Sequence, residues 1–233
     1  MIHVGSGRPG GGPRIFAAVR DPTRRISHGR TLQGLLGTVA ALLVIAGGLV
    51  ATPAADAAVS GVPPGQTYHG NLTVRGQTAS IQGTVDGNVS VQSHATVTVT
   101  GEVTGMLRAY GKSSVVIGSS GKVDKGLLES TGKLQIQPGA QVKKSLDTYN
   151  LSAPAVVGGD VAGPTRISAS GFQLARQGQV TGDIWVWASR SQQVQVDGTV
   201  SGSVHVSGTN LHLGGASHVH GSTSVSYGKV VKH

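Results

Sequence analysis

From residue 85 to the C-terminus one short pattern returns about every 19 residues: apolar, any, Gly, any, apolar, any, apolar. It is plainest at Val85-Asp86-Gly87-Asn88-Val89-Ser90-Val91, Val180-Thr181-Gly182-Asp183-Ile184-Trp185-Val186 and Val200-Ser201-Gly202-Ser203-Val204-His205-Val206. Weaker copies start at Val103, Val123, Val142, Val161 and Val219, and a degenerate one runs through Gly70, Leu72 and Val74. With the leading Val of each copy as marker, the spacings are 18, 20, 19, 19, 19, 20 and 19 residues. A unit this short cannot bury its apolar side chains alone, so the copies must stack on one another.

Within each copy the alternation has period two, the mark of a strand, and a second alternation follows after a polar or Gly turn. Examples are Val97-Thr98-Val99, Val115-Val116-Ile117, Leu134-Gln135-Ile136, Val194-Gln195-Val196 and Leu211-His212-Leu213. Two or three short strands per copy, with no helical segment between them, describe one coil of an all-β, single-stranded parallel β-helix, a solenoid. A sandwich of antiparallel hairpins does not demand so constant a coil length or so regular a Gly phase. Eight to nine coils at roughly 4.8 Å each make a rod on the order of 40 Å long. The composition fits a bore of this kind: only eight residues are Phe, Tyr or Trp, so the core must be built from stacked Val, Leu, Ile and Ala. The 37 glycines suit corners, where the Gly after each marker Val is expected to allow a tight turn or a positive φ.

Ahead of the repeat the chain divides into three further regions. Residues 1–31 are basic and rich in Gly and Arg. Residues 32–57 hold the uncharged segment Leu32 to Val50, expected to be an apolar helix, and then Ala54-Ala55-Asp56-Ala57-Ala58. A basic stretch, an apolar stretch and an Ala-x-Ala site (Ala55 and Ala57, cut before Ala58) form the pattern of a secretory signal peptide. The excess of Arg before it keeps that side cytoplasmic, and residues from 58 onward are then on the extracytoplasmic face of the envelope. About 19 apolar residues are also long enough for an uncleaved membrane anchor. A membrane-associated cytoplasmic chain is the remaining alternative. Residues 58–67 read as a linker containing Gly61-Val62-Pro63-Pro64-Gly65, and 68–233 as the β-helix. Of the formal charge of +9, residues 1–57 hold +4, six Arg against Asp21 and Asp56, and the other +5 is diluted over 176 residues, so no nucleic-acid partner is expected. Absence of Cys excludes disulfides and thiolate chemistry.

The run of Val-x-Gly-x-Val-x-Val coils, as in Val85 to Val91 and Val200 to Val206, resembles the bactofilin family of polymer-forming cytoskeletal proteins, over roughly residues 68–228. The resemblance implies a right-handed β-helix whose ends stack into nonpolar filaments without nucleotide. It also implies association with a membrane and a scaffolding role for cell-wall or shape-determining machinery. The sequence differs from that pattern in its export signal and in its higher Gly, Ser and Thr content.

Reactive constellations are not evident. Cleavage of a sugar chain takes two positioned titratable groups, and the eight acids past residue 58 (Asp86, Glu102, Asp124, Glu129, Asp147, Asp160, Asp183, Asp197) never meet in adjacent coils of one column, so they are expected to be solvated and outward. His205, His212, His218 and His220 are read as exposed polar residues without a metal, since His218 and His220 stand about 7 Å apart on one strand face. No catalytic, cofactor-binding or metal-binding residue is assigned, and no cofactor is expected. In Ile184-Trp185-Val186-Trp187, inward Ile184 and Val186 force both Trp outward, and coil phase places Trp185 between Arg166 and His205. This Arg, Trp, His ridge is a candidate interaction surface. Lys122, Lys125, Lys133, Lys143 and Lys144 are expected to make one face basic, attractive to an anionic wall polymer or a membrane surface.

The ends carry the sharpest expectation, because each leaves unpaired backbone groups and an open bore. With no amphipathic cap in view, Leu72 and Val74 at one end and Val219, Val225, Val230 and Val231 at the other are candidate polymer-end residues. The leading reading is a non-enzymatic scaffold of the cell envelope that polymerises with itself, end to end. The rivals are an exported adhesin or glycan-binding surface protein and, third, a polysaccharide-degrading enzyme.

Overall fold

The marker valines do form a single column. Val85, Val103, Val123, Val142, Val161, Val180, Val200 and Val219 pair in parallel register from coil to coil, and all but Val219 are buried. The computed structural model describes residues 60–130 and 132–233. The expected apolar helix in 32–57, the basic region 1–31 and the Ala55, Ala57 and Ala58 cleavage site lie outside these residues. Among the described residues no helix is long and apolar enough to cross a membrane.

Each coil contributes three strands, one to each of three parallel sheets of ten, nine and nine strands, here called A, B and C. The first coil comprises Gly61–Val62, Thr67–His69 and Leu72–Arg75, and the ninth Leu211–Leu213, His218–Val219 and Thr223–Ser226. Val230–Lys232 then adds a tenth strand to sheet A. One strand of the first coil and the first residue of the next therefore lie within the stretch read as a linker, where the first Gly-Val pair is already laddered onto Ser80 and Ile81. Three strands rather than two follow from a coil with three inward-facing runs: two positions on sheet A, one on B and two on C. The columns Ile81, Val99, Ile117, Ile136 and Leu72, Val89, Leu107, Leu127, Leu146 are examples.

Gly87 has the expected positive φ of 159°, and Val123 and Val142 are followed two residues on by Lys125 and Lys144, but at other markers the glycine two residues on serves a different purpose. Gly105, Gly182 and Gly202 have no positive φ. A Cβ at Gly105 would lie 2.2 Å from the Gly87 carbonyl oxygen, and one at Gly182 would lie 2.7 Å from the Gly163 carbonyl carbon. At these three corners successive coils approach so closely that a side chain has no room, whereas coils four and five carry Lys125 and Lys144 at the same phase.

The bore departs from apolar stacking at two places on sheet C: Thr165 lies between Leu146 and Ile184, and in the neighbouring column Ala109, Glu129 and Thr148 follow one another. Glu129 is 0% exposed, not outward and solvated as expected for the acids. The Leu127-Leu128-Glu129 alternation puts it inside by parity alone. Neither carboxyl oxygen has a hydrogen-bond partner among the described residues. Burial pushes its pKa from 4.5 up to about 8, because the low-dielectric bore disfavours the charged form. In the unfolded chain Glu129 ionises above pH 4.5, whereas in the folded coil it stays protonated until about 8. Stability is therefore complete below pH 4.5 and declines as pH rises toward 8. Glu129→Gln should raise the unfolding free energy at pH 7 by about 2–3 kcal/mol. It should also flatten this pH dependence in urea titrations. An unchanged slope in the variant would show that another group carries the effect.

Candidate interaction surface on sheet C

The strand Ile184–Trp187 buries Ile184 and Val186 and turns both tryptophans outward, as the alternation requires. Parallel register stacks Arg166, Trp185 and His205 in three successive coils. The Arg166 guanidinium carbon lies 5.4 Å from the Trp185 ring centroid. On the other side the Trp185 and His205 rings are stacked at 5.6 Å with an interplanar angle of 18°. Arg166 Nη1 also donates to Asp147 Oδ1 at 3.2 Å, and His205 Nδ1 is 2.7 Å from Ser224 Oγ. The column thus runs Asp147, Arg166, Trp185, His205, Ser224, and it half-buries Trp185 with its ring sandwiched between Arg166 and His205.

Beside it runs a second outward column that sequence reasoning read only at Trp187. Tyr110 follows Leu107–Ala109, with its N–H donating to the Val91 carbonyl so that the ladder continues through it. Tyr149 ends Leu146–Tyr149 and pairs with Ser130, and Trp187 pairs with Ser168 on one side and Ser207 on the other. Between the Asp147↔Arg166 pair and the Leu151↔Ala169 bridge the coil offset shortens by one residue, so coil five bulges just after Tyr149, at Asn150 with φ 51°. Tyr110, Tyr149 and Trp187 each stand three residues after the first inward residue of their sheet C strand. That phase was available in the sequence, hidden because Tyr110 and Tyr149 fall in its weaker copies. Tyr227, one residue beyond the strand Thr223–Ser226, is 80% exposed.

The basic face is smaller than expected. Lys122 stands on sheet B, and Lys125, Lys143 and Lys144 lie at or just past its strands, whereas Lys133 is on sheet A and belongs to another side. Lys122 pairs in register with Glu102, and Lys143 Nζ meets Asp124 Oδ1 at 2.8 Å, which raises the Lys143 pKa through that hydrogen bond and charge. His205 and His212 are on different sheets, C and A, and His212 stacks on His233 at 5.4 Å. Among the described residues no group of three or more His, Cys, Asp or Glu could hold a metal.

The two ends differ. Leu72 and Val74 are buried, and Tyr68, at the inward position paired with Val85, packs against the core there. At the other end Val219, Val225 and Val231 are half-buried and Val230 is exposed. A cavity of about 450 Å³ opens beside Val219, lined by residues that also include Leu213, Thr223, Lys232 and His233. Apolar end surface, expected at both termini, is concentrated at the C-terminal one.

Residues 60–154 match the sequence profile of the family described as Bactofilin, polymer-forming cytoskeletal, which supports the resemblance and spans coils one to five. No curated protein and no solved structure matches the chain. The contacts around Trp185 set a measurable expectation. Arg166→Ala should shift tryptophan emission by uncovering the Trp185 face, yet cost no more than about 0.5–1 kcal/mol of stability, the worth of an exposed cation–π pair. A larger loss in thermal unfolding would mean that Arg166 supports the coil itself.

Proposed function

We propose that the chain is a non-enzymatic scaffold protein of the cell envelope that polymerises with itself, end to end, through the termini of its solenoid. The observation that carries this reading is the C-terminal end: Val219, Val225 and Val230 hold the inward positions of the last strands, whereas Val231 pairs with outward His212, and the last strand of each sheet has backbone groups with no further strand to pair. Stacking a second copy there would continue the parallel ladder and cover the valines, with no cofactor required. The family match over coils one to five, to a polymer-forming cytoskeletal family, supports the same reading. Because Leu72 and Val74 are already buried, the C-terminal face supplies most of the apolar surface of that contact.

Purified chain viewed by negative-stain electron microscopy should form filaments one solenoid wide with no nucleotide or metal added. The double change Val225→Asp, Val230→Asp should leave dispersed short particles with an unchanged circular dichroism spectrum. Thr98→Asp, the same charge placed on the outer face of sheet A in coil three, should leave filaments intact. Filaments that survive the double change would place the contact elsewhere.

Envelope placement rests on the Arg-bearing stretch followed by Leu32–Val50 and the Ala55-Asp56-Ala57-Ala58 site. In intact cells the solenoid should be reached by externally added protease once any outer barrier is opened. N-terminal sequencing should find Ala58 first if the signal is cleaved. A chain protected until the cytoplasmic membrane is lysed would contradict export.

A further inference from the structure

The placement of aromatic residues is lopsided in a way that folding does not explain. Of the seven described, Phe172 is in the core and Tyr68 faces inward in the first coil. The other five, Tyr110, Tyr149, Trp185, Trp187 and Tyr227, are all on the sheet C side or at its margin. Sheets A and B present Thr, Ser, Gln, Val, His and charged side chains instead. Four of these five are among the exposed large apolar residues, which are costly on a surface unless something uses them.

Their spacing narrows what that is. Tyr110, Tyr149 and Trp187 belong to coils three, five and seven, so in this column an aromatic recurs at every second coil, about 10 Å apart along the rod; in coil nine the position is Ser226, with Tyr227 one residue beyond it. The positions between the rings carry small hydroxyl side chains, Ser168 between Tyr149 and Trp187 and Ser207 after Trp187. In an extended β-1,4-linked glycan each sugar is turned over relative to the last, so the same apolar ring face recurs at every second sugar. A row of flat apolar platforms at every second coil, with hydroxyls between them, is commensurate with such a chain lying parallel to the rod axis. Stacked aromatic rings are also platforms for single-stranded nucleic acid, but there the bases follow one another without an alternation of faces. The outer face of sheet C carries Arg75, Arg108 and Arg166 against the single acid Asp147, so it does not repel a glycan that bears carboxylates.

We propose that the outer face of sheet C is a binding surface for a linear β-1,4-linked glycan strand, with Tyr110, Tyr149 and Trp187 as its stacking platforms and Trp185 as a flanking wall held by Arg166 and His205. The surface lies along the side of the rod, so it stays open when copies stack through their ends. A polymer would then present the platforms as one continuous line, and each added copy would lengthen the contact with the same strand.

The two tryptophans of the chain both lie on this face, so intrinsic emission reports on the surface directly. Full-length chain titrated with the β-1,4-linked hexasaccharide of N-acetylglucosamine should show a saturable change in emission. The disaccharide, long enough for one ring, should bind at least about tenfold more weakly. Tyr149→Ala, remote from both indoles in sequence, should weaken the hexasaccharide about tenfold with unchanged circular dichroism. Tyr110→Ala, a further coil pair away, should do the same. The curved α-1,4-linked glucose hexasaccharide should give no saturable change. The proposal is overturned by an equal response to the α-linked sugar, by unaltered binding in both tyrosine variants, or by a tighter response to a single-stranded oligonucleotide. Emission that moves with protein concentration in the absence of sugar would also overturn it, by showing that a second copy covers the face. The Val225→Asp, Val230→Asp chain should bind the hexasaccharide as the unaltered chain does, which separates failure of this surface from failure of end-to-end assembly.

Discussion

Everything in this molecule depends on coil stacking on coil in strict register. A parallel ladder running along all three sheets pairs each strand with its equivalents one turn before and after, and the same register puts Val on Val and Leu on Leu inside the bore. Because side chains alternate with period two, a slip of one residue would turn every apolar side chain outward. The coil lengths of 18 to 20 residues are absorbed at the corners, and in coil five by a bulge, so the strands keep their phase. Glycine at the B-to-C corner belongs to the same constraint, since a side chain there would meet the backbone of the coil before it.

That register has two consequences outside the bore. It turns outward positions into straight columns, so residues about 19 apart become neighbours at strand spacing, as in the Asp147, Arg166, Trp185, His205 line. It also leaves the ends unfinished, because a ladder can always accept one more strand. The side columns supply a lateral surface and the ends a longitudinal one. A rod that polymerises through one and binds through the other uses two independent features of one repeat.

The structure is not uniformly optimised around its core. Glu129 occupies a position where every neighbouring logic calls for an aliphatic side chain, and it stays uncharged there through burial alone. Sequence reading placed it among the solvated acids because carboxylates are rarely buried without a partner, although the parity of Leu127-Leu128-Glu129 pointed the other way. Parity is set by the backbone and overrides the preference of one residue.

The number of coils, the marker column, the outward turn of Trp185 and Trp187 and the neighbours of Trp185 were legible in the sequence. They follow from two periodicities, two residues along a strand and about 19 along the chain, and a periodicity needs no coordinates to be read. Tyr110 and Tyr149 were legible in principle and missed, since Tyr149 follows a copy with Lys144 in place of Gly and Tyr110 one that ends on Ala109 in place of Val. Other features required the tertiary structure. Whether Gly was needed for φ or for space, which end of the bore stayed open, that Lys133 parts from the other lysines, and that the first coil begins at Gly61–Val62 are all set by three-dimensional closure. How three strands close into one turn determines which atoms approach from the next turn, and a linear repeat carries no information about distances across its own corners.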